Sequence, residues 1–345
     1  MRADGSLWAW GRNNYGQLGL NNTTEKHAPT QVVGFADWMA VAAGEFYSLG
    51  LRANGSLYAW GYNGAGQLGV GNNDEQHAPM QVPGDWVAVA AGANHSLGRR
   101  ANGSLYAWGY NGAGQLGVGN NDEQHAPMQV PGDWVAVAAG YYHSLGIKAN
   151  GSLYAWGANS SSQLGLGNIE NKNVPSSVTG TGWVAVAAGG DHSLGLKVDG
   201  SLWAWGSNNL GQLGLGTTSN YELAPTPVGS DSSWVAVAAG YSHSLGGRAN
   251  GTIWAWGNNN LGQLGLGTTS NYESAPTRVG SDFNWVAVAA GSSHSLGRRA
   301  DGSLYAWGRN NSGQLGVADT ADRNTPTRVP FPGALPWIHL LLLGN

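Results

Sequence analysis

The 345-residue chain carries 16 Lys and Arg against 20 Asp and Glu, a formal net charge of −4, and only 10% charged residues in all. That balance supplies no basic field to draw the chain to nucleic acid or an anionic membrane, and the absence of cysteine excludes disulfides, thiol catalysis and cysteine–zinc sites. The 57 glycines and 17 tryptophans, within 41% hydrophobic residues, point to short strands, tight turns and ring packing, and away from disorder.

No apolar run approaches the roughly 20 residues that span a bilayer. Met1-Arg2-Ala3-Asp4-Gly5 lacks the charge and apolar pattern of a signal peptide, so the cytoplasm is the default expectation for a compartment the sequence leaves undetermined.

The first recognisable element, Gly5-Ser-Leu-Trp-Ala-Trp-Gly11, returns with small changes from Gly55, Gly103, Gly151, Gly200, Gly251 and Gly302, at intervals of 48 to 51 residues. A second string, Trp-Val-Ala-Val-Ala-Ala-Gly, starts at Trp86, Trp134, Trp183, Trp234 and Trp285, with a Met variant at Trp38. Residues 55–92 and 103–140 are identical, as a recent duplication would leave them. A period of this size marks a repeat architecture, here one propeller domain over residues 1–345.

Within one copy the predicted elements follow in order. Trp86–Ala91 is an apolar run ending at Gly92, suited to a strand buried on both faces. His95–Ala101 and Ser104–Trp108 flank Asn102-Gly103, the dipeptide of a tight hairpin. A glycine-rich loop, residues 112–119, leads to a weaker strand at Pro127–Val130, whose proline suits an outer edge. If Asn54-Gly55 forms a two-residue turn, Leu49 pairs with Trp60 and Leu51 with Tyr58 on one face, and Gly50 pairs with Ala59 on the other. Large rings on one face and a shallow opposite face let each unit fill its neighbour. Seven units of four antiparallel strands then make an all-β, seven-bladed β-propeller. A parallel β-helix is the alternative, but its turns are shorter.

The Ala-Ala-Gly-x-x-His-Ser-Leu stretch, the Asp/Asn-Gly turn, the Trp-Gly and the Gly-Gln-Leu-Gly loop together resemble the regulator of chromosome condensation repeat family, across essentially the whole chain. The resemblance implies seven blades with sequence copies offset from them, so that the two chain ends share the closing blade. The seam is irregular. Met1-Arg2-Ala3 stands where Leu51-Arg52-Ala53 stands later, and the last copy reads Pro336–Asn345 in place of the usual inner strand. Trp337–Leu343 is the candidate degenerate inner strand, which would leave the closing blade one strand short, with His339–Leu343 as an imitation of the His-Ser-Leu strand the alternative; either way the seam is expected to be least stable.

The equivalent histidines His95, His143, His192, His243 and His294 suggest a metal site, but ligands must lie about 2 Å from one ion, and equivalent atoms around a channel stand too far apart. They read as structural, each imidazole bonding backbone between strands or blades. The Gly-x-x-Gly-x-Gly loops, such as Gly66–Gly71, join strands, whereas phosphate loops open helices; Leu68 is read as a packing plug and Gln67 as a brace. Arg99–Arg100 and Arg298–Arg299 read as solvated edges. Asp74-Glu75 and Asp122-Glu123 also read as solvated, and no carboxylate pair or nucleophile elbow proposes catalysis. Asn54, Asn102, Asn150 and Asn250 begin Asn-x-Ser/Thr motifs that read as by-products of the turn. No cofactor, metal or catalytic residue is expected.

Function is sought where a near-constant repeat varies. Between Ala-Ala-Gly and His-Ser lie Glu45-Phe46, Asn94, Tyr141-Tyr142, Asp191 and Tyr241; after Trp-Gly come Arg12, Tyr62, Tyr110 and Arg309. All fall at strand ends, hence on one or both rims, where loops on a rigid scaffold carry binding and where Tyr and Arg serve as anchors. The expectation is a non-catalytic, monomeric scaffold that binds a protein partner through this rim. Guanine-nucleotide exchange on a small GTPase, the activity implied by the family name, is the alternative; it requires a protruding wedge, and these loops are nearly uniform. Glycan binding is a further alternative. Light sensing, as in the related plant UV-B photoreceptor, needs Trp at positions where this chain never has it, and chromatin binding lacks a basic tail.

Overall fold

The computed structural model describes residues 1–331, so the candidate strand Trp337–Leu343 lies outside the described residues. Six antiparallel four-stranded sheets occupy residues 38–82, 88–133, 136–177, 183–227, 234–278 and 285–328 (blades 1 to 6), and a two-stranded sheet lies at the start of the chain. That sheet, β1 (Leu7–Gly11) with β2 (Lys26–Val32), is wedged between blade 6 and blade 1. On one side Trp10 donates through Nε1 to Gln314 O at 3.1 Å; on the other Trp60 donates to Gln17 O at 2.9 Å. It is the seventh sector, built from the strands that correspond to the third and fourth of a full blade. The architecture is a seven-bladed propeller.

Blade 1 shows the local logic: β3 (Trp38–Ala43), β4 (Tyr47–Arg52), β5 (Leu57–Gly61) and β6 (Gln76–Val82) pair in sequence order. The hairpin differs from the expected one. Leu49 lies opposite Ala59, Gly50 opposite Tyr58 and Ser48 opposite Trp60. The turn contains three residues, Ala53 to Gly55: Gly55 N donates to Arg52 O, Arg52 N to Ser56 O, and Gly55 has φ +84°. This is a type I turn closed by a left-handed glycine. One added turn residue slips the register by one and exchanges the faces. Asn54 Oδ1 accepts from Ser56 N at 3.0 Å, which explains the Asn or Asp before each turn glycine.

With the register corrected, the ring-into-hollow packing holds with its residues reassigned. Leu49, Leu51, Leu57 and Ala59 form the shallow face of blade 1, and Trp86 and Trp108 of blade 2 pack on it in one buried cluster. The same pattern recurs from blade 3 to blade 4 and from blade 4 to blade 5. Each inner-strand Trp also lies across the glycine of its own second strand; a Cβ on Gly146 would stand 2.6 Å from the Trp134 ring. The inner strands are not buried on both faces. Val184, Val235 and Val286 are half-exposed, each in a strand whose register shifts just after the buried Trp, and the shift turns the valine outward.

The arginine pairs need a second correction. Arg100 sits 4.3 Å from the Tyr106 ring and 5.4 Å from Trp86, Arg299 sits 4.2 Å from Tyr305, and Lys148 lies 4.3 Å over Tyr154. A cation two residues before the Asn/Asp of the turn caps the ring pair of each blade, so one member of each pair is a packing residue and not a free edge.

The glycine-rich loop is held by an asparagine that sequence reasoning passed over. Asn111 donates through Nδ2 to Asn120 O at 2.9 Å and Asp122 O at 3.0 Å, and accepts from Leu116 N at 3.0 Å. Equivalent bonds to the buried leucine are made by Asn13, Asn63, Asn159, Asn208, Asn259 and Asn310. Gln67 braces its loop as expected, accepting from Ala65 N at 3.0 Å, and Leu68 is fully buried. Asn111→Ala should therefore cost about 1–3 kcal/mol, because it strands a buried Leu116 N–H; urea unfolding checks this, and a change below about 0.5 kcal/mol would mean that water replaces the amide.

Candidate functional site

Both variable sets lie on one rim. Tyr62 N donates to Phe46 O at 2.9 Å, Tyr110 N to Asn94 O at 2.8 Å and Arg309 N to Ser293 O at 2.9 Å, so the residue after Trp-Gly sits beside the dipeptide after Ala-Ala-Gly in each blade. These turns also bond to one another around the channel: Glu45 N to Ala93 O, Gly190 N to Tyr241 O and Tyr241 N to Ser292 O between dipeptides, and Tyr141 N to Gly189 O, the residue before the next one.

Closure of the ring brings distant copies together. Tyr141 Oη donates to Glu45 Oε2 at 2.9 Å across two blades. The Tyr141 ring meets Tyr142 edge-on at 4.6 Å and Tyr241, two blades further on, at 5.4 Å. Tyr110 joins through Tyr142 at 5.9 Å. Glu45, Tyr141, Tyr142 and Tyr241 thus form one patch at the channel mouth, with Tyr241 43% exposed. Burial first, then the Glu45 carboxylate, pushes the Tyr141 phenol well above its ordinary range. Gly190 N donates to Tyr241 O at 3.1 Å, which sets Asp191 beside that residue, and the pKa of the Tyr241 phenol is raised by burial and by the negative charges of Asp191 and Glu45. Asp191 accepts from Gln163 Nε2 at 3.1 Å, and its own pKa is raised by burial.

The remaining rim residues divide. Arg12 stacks on Phe46 at 5.1 Å, and Phe46 meets Tyr15, which in turn meets Tyr62 at 5.0 Å. Tyr15 was not among the candidates, although Ala65, Ala113, Ser161, Leu210, Leu261 and Ser312 at equivalent positions show that the position varies. Asn94 is a brace, accepting from Gln67 Nε2 at 3.1 Å, and Arg309 donates to Asn311 Oδ1 at 3.0 Å.

Charge is segregated across the disc. The face with the variable dipeptides and the glycine-rich loops holds twelve Asp and Glu against five Lys and Arg; the face with the hairpins holds eight against eleven. A net charge of −4 therefore conceals an acidic face backed by a mildly basic one.

The equivalent histidines are structural, but their partners are side chains and not backbone. His95, His143, His192 and His243 each place Nε2 2.9–3.0 Å from the Oγ of Ser144, Ser193, Ser244 and Ser295 in the following blade. Each serine spends its own proton on a loop carbonyl, as Ser144 does on Gln115 O at 2.9 Å. The imidazole N–H must then be on Nε2, leaving Nδ1 buried without a partner. Burial lowers the pKa of these four to about 3 and that of His294 to about 4. Tyr47 replaces the first of the series, accepting from Ser96 Oγ at 2.9 Å.

Comparison with known proteins agrees with the propeller fold. The RCC1-like domain model matches residues 81–340, and the RCC1 repeat (regulator of chromosome condensation) matches residues 4–51 and 54–98. Human WBSCR16 superposes with a TM-score of 0.86 at 24% identity over 95% of this chain and 94% of that one. Yeast RCC1 (Prp20), solved bound to Kap60, superposes with a TM-score of 0.86 at 24% identity over 96% and 85%. In sequence, the probable E3 ubiquitin-protein ligase HERC4 of Homo sapiens is 41% identical over 99 residues, 28% of this chain and 9% of that protein. The ultraviolet-B receptor UVR8 of Arabidopsis thaliana is 36% identical over 115 residues, 30% of this chain and 26% of that protein. The matches thus span about a tenth of the ligase and a quarter of the receptor. With its seven sectors, shared repeat motif and matched domain, the chain belongs to the RCC1-like domain family.

Proposed function

We propose that this propeller is a non-catalytic binding platform that captures a protein partner at the acidic rim. The observation that carries the reading is the convergence of Glu45, Tyr141, Tyr142 and Tyr241, from three blades, on the channel mouth. These are positions at which an otherwise near-uniform repeat departs from itself. Half-buried aromatic rings on a stiff frame lose little conformational freedom on binding and make efficient anchors. Yeast Prp20, which shares the fold, is described as binding Gsp1p and histones, in keeping with a protein ligand. An acidic face favours a protein with a basic surface over a neutral glycan. Guanine-nucleotide exchange would call for a protruding wedge, whereas this rim is distinguished by its centre.

Tyr141→Ala combined with Tyr142→Ala should abolish partner capture by the intact chain while lowering the melting temperature by no more than a few degrees, since both rings lie at the surface of the fold. Capture that survives the double substitution would rule out this rim. A GTPase nucleotide-release assay with the same protein tests the exchange alternative.

A further inference from the structure

We propose that the channel mouth takes a lysine or arginine side chain, presented by a basic segment of the partner protein, between the Glu45 and Asp191 carboxylates and the rings of Tyr141 and Tyr241. This rests on the platform reading and specifies the partner's chemistry. The charge census gives the sign: the face is acidic by twelve to five. The local census sharpens it. Among the described residues, no ion pair engages Glu45 or Asp191. The nearby rim cations are committed elsewhere, Arg12 to the Phe46 ring and Arg309 to Asn311. Glu45 receives one phenol proton and Asp191 one amide, which leaves acceptor capacity on both. Two carboxylates beside rings that are partly buried yet open to solvent match a long basic side chain. Its alkyl stem covers apolar ring surface, and its head meets negative charge and the electron-rich ring faces.

The test uses the intact chain and two labelled octapeptides, one alternating Gly and Lys and one alternating Gly and Glu, followed by fluorescence anisotropy. The lysine peptide should bind and the glutamate peptide should not, with affinity falling as salt rises. E45Q combined with D191N should weaken the lysine peptide by about tenfold or more, whereas D122N with E123Q, the same charge change at the rim periphery, should weaken it by less than about threefold. Equal losses in the two double variants would reduce the effect to a diffuse field and overturn the central site, as would failure of the lysine peptide to bind. The two readings separate in partner capture. Capture lost on Y141A/Y142A but untouched by E45Q/D191N keeps the platform and removes the cation site; capture untouched by Y141A/Y142A removes the platform itself.

Discussion

Trp156→Ala should destabilise the protein by about 3–5 kcal/mol, the range for removing a large buried ring from a packed core. Trp156 is fully buried in a cluster with Leu97, Leu105, Ala107 and Leu116 of the preceding blade. Its indole N–H also donates to Gln115 O at 2.9 Å. Alanine would leave a cavity between two blades and take away one of the two donors that reach that carbonyl. Tyr154 in the same strand, only half-buried, is the matched control, and its replacement by Ala should cost less than half as much. Urea unfolding followed by intrinsic fluorescence gives both numbers. A loss for Trp156 below about 1 kcal/mol would show that stability does not reside in the contacts between blades.

The repeat announced the number of sectors because a fixed period needs no knowledge of register. Register was another matter. Ala53 is a residue a strand accepts, so Asn54-Gly55 read as the whole turn; only the Gly55-to-Arg52 bond counts Ala53 into it. The slip concealed the role of Arg100, whose place over Tyr106 and Trp86 follows only when the strands are aligned correctly. The histidine bonds were hidden for a different reason: His95 and Ser144 lie 49 residues apart, and each looks self-sufficient within its own copy. Variation marked most of the rim residues, yet variation is blind to distance. Glu45 and Tyr141, 96 residues apart, become neighbours only because the ring closes, and no local pattern encodes that contact.

Acidification should unfold the protein well before ordinary carboxylate chemistry alone would. An unfolded histidine titrates near 6.5, but four buried ones here hold out to about pH 3 and His294 to about 4. Below pH 6.5 the unfolded chain therefore binds protons that the folded chain refuses, so stability is full above the unfolded value and declines as pH falls toward the folded one. Each histidine contributes up to about 1.4 kcal/mol per pH unit, and five together approach about 7 kcal/mol per unit near pH 5. Against a typical total of about 5–15 kcal/mol, unfolding is expected between about pH 6 and 4. Urea unfolding at intervals from pH 7.5 to 5 should show proton uptake approaching five. His143→Gln, which keeps a neutral polar group beside Ser193, should reduce that uptake by one and flatten the slope by about a fifth. A flat stability profile from pH 7 to 5 would mean that the imidazoles accept protons in place, and that burial does not hold them in the neutral form.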